Sequence, residues 1–285
     1  MPDVRHTEPT DPLDGPPVTT AKAWAVADGA TGEILWRCND AERLRMASLT
    51  KIMTAWIILD LAQAQPAILS ETVVYRKRPD DPGGTSADLN DGDRGPARDL
   101  LYGLLLPSGN DAALALGEHF GPRFAVQDDE PPEDPLAPFV AEMNRRADAL
   151  CMAETTYFDP HGFSANVSSA RDIVTVTWHA MRLASFREYV QTEQYACTLT
   201  TADGADRPMA WQNTNKLLPL GYDGVKTGRT KEAGRCLVAS GRRGDDHLIT
   251  VVLGCPVDGC RYADTRNLFR WAWRMRGRGS ARTRL

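Results

Sequence analysis

Ser48 and Lys51 stand three residues apart in the stretch MASLTKIMTA, where an apolar, helix-like run begins. Helical spacing stacks positions i and i+3 on one face. A hydroxyl and an amine therefore share a turn beside residues bound for the core: Met46, Leu49, Ile52, Met53 and Ala55. A serine hydroxyl is a poor nucleophile until a base takes its proton. An exposed lysine is protonated near neutrality and cannot be that base, but burial and a second cation lower its pKa. By itself the Ser-x-x-Lys spacing is weak evidence and reads more readily as a helix cap followed by a snorkelling lysine. Two further stretches bear on it. Ser108-Gly109-Asn110 breaks an apolar run, which alone would be a turn with local hydrogen bonds. Lys226-Thr227-Gly228 lies on a β-like run near the C-terminus, where Lys226 can supply the second cation. Gly228 would let another backbone approach that strand's edge.

In this order and at this wide spacing, the three motifs resemble those of the active-site serine penicillin-recognising proteins. The closer resemblance is to the low-molecular-mass penicillin-binding proteins of the D-alanyl-D-alanine carboxypeptidase family. It is carried by MASLTKIMTAW, LLYGLLLPSGNDAALALGE, FDPHGF followed by SSARD, NTNKLL, and DGVKTGRTKEAGRCLVAS. It covers residues 21 to 276. The resemblance implies a serine peptidase that removes the terminal D-Ala from peptidoglycan stem peptides through an acyl-enzyme on Ser48. It also implies that β-lactams acylate the same serine, and that no cofactor or metal takes part.

The resemblance further implies a role for each motif residue. Lys51 is the base. Ser108 relays a proton between Lys51, Lys226 and the leaving nitrogen, and Asn110 orients Lys51 and holds the substrate amide. Lys226 and Thr227 receive the substrate's carboxylate, with Gly228 leaving room for the peptide. The backbone N–H groups of Ser48 and Arg229 form an oxyanion hole. The Arg229 side chain either holds an anionic substrate end or points into solvent. The alternatives are a DD-endopeptidase of the same family, a β-lactamase-like hydrolase, and a non-catalytic muropeptide or β-lactam sensor. A class A β-lactamase would need a glutamate in a characteristic loop, and Glu130 and Glu133 lie in a proline-rich acidic insertion instead. His6, His119, His161, His179 and His247 show no metal-like or triad-like spacing. His161-Gly162 falls in a matching turn whose backbone matters more than its ring. Asn213 and Asn215 read as loop-forming residues.

Positioning these groups requires a particular order of elements. Residues 1–20 read as a flexible tail. AKAWAVAD and EILWRCN flank Gly29–Gly32 as a hairpin. The helix of Ser48 runs to Gln65, a strand is expected at 71–76, and DDPGGTSADLNDGDRG is a turn-rich connector. DLLYGLLL is a buried helix, and helices follow at 111–120, 139–150 and, capped by Ser168 or Ser169, to Leu183. The insertion 125–138, with five acidic residues and four prolines, is an exposed loop. DGVKTGRT, RCLVASGRR and HLITVVLG form an antiparallel meander, and RYADTRNLFRWAWRMR a final helix before a basic tail, 277–285.

The expected fold is therefore α+β and β-lactamase/transpeptidase-like. An antiparallel sheet built from both chain ends (21–46 with 222–276) is flanked by helices, and a mainly helical subdomain, 47–221, is inserted within one catalytic domain.

Composition sets bounds on the rest. With 285 residues and 42% hydrophobic composition, the chain can build a sizeable core. A net charge of -5 gives no overall reason to expect nucleic-acid binding. No apolar run reaches the ~20 residues that span a bilayer. A cell-wall substrate implies an extracytoplasmic location, although the N-terminal stretch shows no apolar signal-peptide core. The six scattered cysteines do not demand a disulfide scaffold. Cys255 and Cys260 either stay free or close a local turn.

Overall fold

The computed structural model describes residues 15–79, 81, 83–125 and 133–282, the last five by backbone alone. Strands β1 (Ala23–Asp28) and β2 (Ile34–Cys38) form the expected hairpin, followed by the short β3 (Leu44–Arg45). A 3₁₀ turn, Ala47–Thr50, leads into helix α1 (Lys51–Ala64). The α-helix thus begins at Lys51 and not before Ser48, and the tighter 3₁₀ turn eclipses positions three apart.

Next come β4 (Thr72–Val74), β5 (Arg94–Pro96), α2 (Ala97–Leu105), α3 (Asn110–Phe120) and α4 (Ala137–Ala149). After β6 (Val167–Ser168), α5 (Ala170–Arg182) is capped by Ser169, whose hydroxyl accepts from Asp172 N at 3.3 Å. The chain continues with α6 (Ala184–Gln191), β7 (Gln194–Thr200), β8 (Asp206–Gln212), β9 (Val225–Thr230), β10 (Gly234–Arg243), β11 (Asp246–Cys255) and α7 (Cys260–Arg282).

Both ends of the chain build one antiparallel sheet in the order β2-β1-β11-β10-β9, which makes β9 an edge. The fold is α+β, as expected. Strand alternation divides the side chains between two cores. Ala23, Ala25, Ala27, Val238, Ile249 and Val251 join the larger core with α1 and α5. Trp24, Val26, Leu237, Ala239 and Val252 turn the other way, onto Leu268, Phe269, Trp271 and Ala272 of α7. Burying each large side chain of this second layer contributes about 1.5–3 kcal/mol. Helix α1 is packed among α2, α3, α4, α5 and α6, with α5 lying between it and strands β1 and β11, and its residues 51–59 are all buried.

The inserted region is less purely helical than its sequence reads. It contains a second sheet, β4-β5-β7-β8, and its β7–β8 hairpin and α6 are elements beyond those expected above. The signal was present. Tyr195, Cys197 and Leu199 alternate with more polar or smaller residues, and Asp203-Gly204 supplies the turn.

Thr20 N and Oγ1 and Ala21 N all donate to Asp264 Oδ2 at 2.8–3.0 Å, which ties the start of the described chain to α7. That helix continues as far as Arg282. Residues 126–132, half of the acidic insertion and including Glu130, lie outside the described residues. Asp134 at its end pairs with Arg78 at 2.9 Å. All six cysteines are free thiols, so no disulfide joins Cys255 and Cys260. Among the described residues, no helix is long and apolar enough to cross a membrane.

Candidate active site

Two non-glycine residues in the left-handed region frame the cleft: Ala47 with φ 49° and Ser108 with φ 71°. Such backbone costs about 1–3 kcal/mol per residue and persists only where surrounding structure enforces it. At Ala47 it is enforced by packing on both sides. A Cβ on Gly228 of β9 would meet Met46 O at 3.0 Å, Ala47 Cβ at 3.2 Å and Ser48 N at 3.3 Å. On the other side, a Cβ on Gly162 would lie 2.0 Å from Ala47 O. The serine's turn is therefore clamped between a glycine of the edge strand and a glycine of the 159–164 loop.

Gly162 has φ 90°, so an alanine there is doubly disfavoured. Gly162→Ala is expected to lower stability by about 2–3 kcal/mol. A urea unfolding midpoint equal to that of the wild type would contradict this clamp.

Lys51 is fully buried, and its Nζ has three oxygen neighbours: Asn110 Oδ1 at 2.7 Å, His161 O at 2.8 Å and Ser48 Oγ at 3.2 Å. Burial pushes its pKa down to about 7, against the opposing pull of Asp159 and Asp111. A neutral amine has two hydrogens and one lone pair. Asn110 Oδ1 and His161 O can accept both hydrogens, and the lone pair is then left for Ser48. The asparagine's orientation is set independently, because its Nδ2 donates to Gly83 O at 2.6 Å.

His161 acts here through its carbonyl. Asp159 fixes that turn by accepting from His161 N at 2.8 Å, Gly162 N at 2.5 Å and Ser164 N at 2.7 Å. Burial works against the Asp159 charge, but His161 and these backbone donors outweigh it and hold the carboxyl below its usual range.

The Ser108-Gly109-Asn110 turn is held by a wall that reads in the sequence only as a connector. Thr85 O accepts from Asn110 N at 2.8 Å, and Thr85 Oγ1 donates to Ser108 O at 2.6 Å. Asp111 accepts from Ser86 Oγ, Ala87 N and Leu89 N at 2.5–3.0 Å. Ser108 Oγ is buried without a hydrogen-bond partner among the described residues.

Across the cleft, Lys226 is 1% exposed and its Nζ donates to Thr227 O at 3.1 Å. Burial drives its pKa well down, and the Lys51 and Arg261 cations add to the effect. The sequence names burial and Lys226 together as depressors of Lys51; burial alone lowers the Lys51 pKa, whereas for Lys226 burial is the main cause and the cations add to it. Thr227 Oγ1 lies 2.8 Å from Thr214 Oγ1.

Arg229 stands in solvent, with Nη1 3.5 Å from Asp258 Oδ2. Of the expected site residues, Ser48, Lys51, Ser108, Asn110, Lys226, Thr227 and Gly228 meet at one cleft.

Two further residues contribute to the site. Arg261, at the start of α7, donates to Gly228 O at 2.9 Å from behind β9. Thr214 lies between Asn213 and Asn215. Asn213 and Asn215 do form the loop: Asn213 Oδ1 accepts from Asn215 N at 2.9 Å, and Asn215 Oδ1 from Leu217 N at 3.1 Å.

A serine and a buried amine on one turn, facing a glycine-bearing edge strand in this α+β fold, place the chain in the transpeptidase-like class of active-site serine proteins. The family model described as D-alanyl-D-alanine carboxypeptidase, peptidase S11, matches residues 12–257, and the chain belongs to that family. It is similar to the D-alanyl-D-alanine carboxypeptidase DacF of Bacillus subtilis, with 30% identity over 258 residues that cover 89% of this chain and 62% of the relative. The chain thus spans less than two thirds of that relative's length. Among solved structures, the Streptomyces K15 DD-transpeptidase superposes with a TM-score of 0.82 at 32% identity, covering 91% of this chain and 99% of that one. Penicillin-binding protein D2 of Listeria monocytogenes, in an ampicillin-bound form, gives 0.73 at 28% identity, covering 91% and 99%.

Proposed function

We propose that the protein is a serine-type D-alanyl-D-alanine carboxypeptidase acting on peptidoglycan stem peptides, and that penicillins acylate it at Ser48. One observation carries the reading. Lys51 is buried, has a lowered pKa, and has two acceptors besides Ser48 Oγ. Neutral Lys51 takes the Ser48 proton as Oγ attacks the carbonyl carbon of the penultimate D-Ala. The N–H groups of Ser48 and Arg229 receive the charge that develops on the carbonyl oxygen. Collapse breaks the peptide bond, and the proton passes through Ser108 Oγ to the leaving nitrogen. Water then hydrolyses the Ser48 ester and restores the hydroxyl.

Lys226 and Thr227 receive the terminal carboxylate. An arriving anion favours the charged form of Lys226 and reverses part of the shift that burial causes. Arg261 stands behind Gly228 as a further cation. Asn110 holds Lys51 and the substrate amide.

The unit that performs this chemistry is residues 21–276 as a single domain. The substrate class implies work outside the cytoplasm, in the periplasm or cell-wall space. The test is incubation with a stem peptide ending in D-Ala-D-Ala, with assay of free D-Ala. Release over many turnovers is expected. Acylation by penicillin with no D-Ala released would make the protein a sensor, and cleavage confined to cross-linked peptides would make it an endopeptidase.

A further inference from the structure

A pocket of about 240 Å³ lies beside the serine's turn, and Lys226 is not among its lining residues. It is lined by Arg45, Ala47, Phe163, Ser164, Thr230 and Glu232, among others. Two covalent neighbours fix its place. Ala47 precedes Ser48, and Thr230 follows Arg229, whose N–H is proposed to hold the oxyanion. If the leaving D-Ala carboxylate sits at Lys226 and Thr227, the acyl half of the peptide runs the other way along β9, past Arg229 toward Thr230. At roughly 3.3 Å per extended residue, the side chain of the residue before D-Ala-D-Ala comes level with this pocket.

The lining carries opposite charges that do not satisfy each other. Arg45 donates Nη1 to Ser164 O at 2.9 Å, and no carboxylate among the described residues pairs with it. Glu232 is exposed and has no cationic partner among the described residues. Phe163, half exposed, gives the pocket an apolar wall for a methylene chain.

We propose that this pocket selects the third stem-peptide residue, and that it suits a side chain ending in an amino-acid head with both ammonium and carboxylate. A diaminopimelate-type residue has that chemistry, whereas a lysine offers the ammonium alone. Glu232 takes the ammonium. Arg45 takes the carboxylate, for which its forked donors are suited. This selection rests on the carboxypeptidase reading given above.

The test uses the whole chain and three peptides that differ only in the third residue: diaminopimelate with a free amino and carboxyl group, lysine, and Nε-acetyl-lysine. Release of D-Ala is followed as kcat/KM. The diaminopimelate peptide is expected to be favoured about tenfold over lysine, and lysine several-fold over its acetylated form, in line with charge-assisted hydrogen bonds. Arg45→Gln, which keeps a donor for Ser164 O, should erase the first preference, and Glu232→Gln the second. Equal kcat/KM for the three peptides, or variants that scale all three alike, would overturn the assignment while leaving the carboxypeptidase reading intact. No D-Ala from any peptide would overturn that reading, and the assignment with it.

Discussion

Lys51→Arg is expected to acylate with penicillin at least about 10³-fold more slowly than the wild type at pH 7, as for loss of an essential proton acceptor. A guanidinium keeps its charge throughout the working range, so it cannot accept the Ser48 proton. The wild type supplies its own control through pH. Burial lowers the Lys51 pKa to about 7. The neutral fraction, and with it the acylation rate, should rise as pH climbs through 7 and then level off. Stability provides a second readout. The folded chain binds fewer protons at Lys51 than the unfolded chain does between about pH 7 and the ordinary lysine value of 10.5. Stability relative to Lys51→Met therefore increases with pH across that window, and the penalty of the buried charge is fully present below it. Near-normal acylation by Lys51→Arg at neutral pH would remove Lys51 as the base.

Ser48→Ala should have the larger effect on turnover. D-Ala release is expected to fall by about 10⁴-fold or more, the scale on which an enzyme loses activity with its nucleophile. Folding should be little affected. Ser48 is only part-buried, and among the described residues its hydroxyl's one hydrogen bond is that from Lys51 Nζ at 3.2 Å. An unchanged urea midpoint together with lost turnover would separate chemistry from stability. Retained D-Ala release would place the nucleophile elsewhere.

Much of this architecture is legible in the chain because it rests on local patterns. The β1–β2 hairpin, the β9–β11 meander and the buried α2 each carry their own periodicity. The spacing of Ser48 and Lys51 needs only one turn of helix. What is harder to read depends on closure in three dimensions. His161 contributes a carbonyl to Lys51, and a backbone oxygen leaves no mark on residue type. Arg261 is one arginine among many near the C-terminus until α7 carries it behind Gly228. Residues 83–89 look like a connector, because their role lies in main-chain bonds to Asn110 and Asp111.

The lysine charges show the same limit. The sequence points to burial and a second cation, but how deeply each amine is buried is set by the fold: loss of water alone lowers the Lys51 pKa, and at Lys226 the neighbouring cations only add to it. The β7–β8 hairpin is different, since its alternation and its Asp-Gly turn were both readable.

The central claim is a covalent acyl-enzyme on Ser48. Its most direct test is to incubate the protein with a fluorescent penicillin, digest it, and locate the adduct by mass spectrometry, with Ser48→Ala in parallel. One adduct is expected, on the peptide that contains Ser48, and none in the variant. An adduct on another peptide, or label that persists in Ser48→Ala, would contradict it.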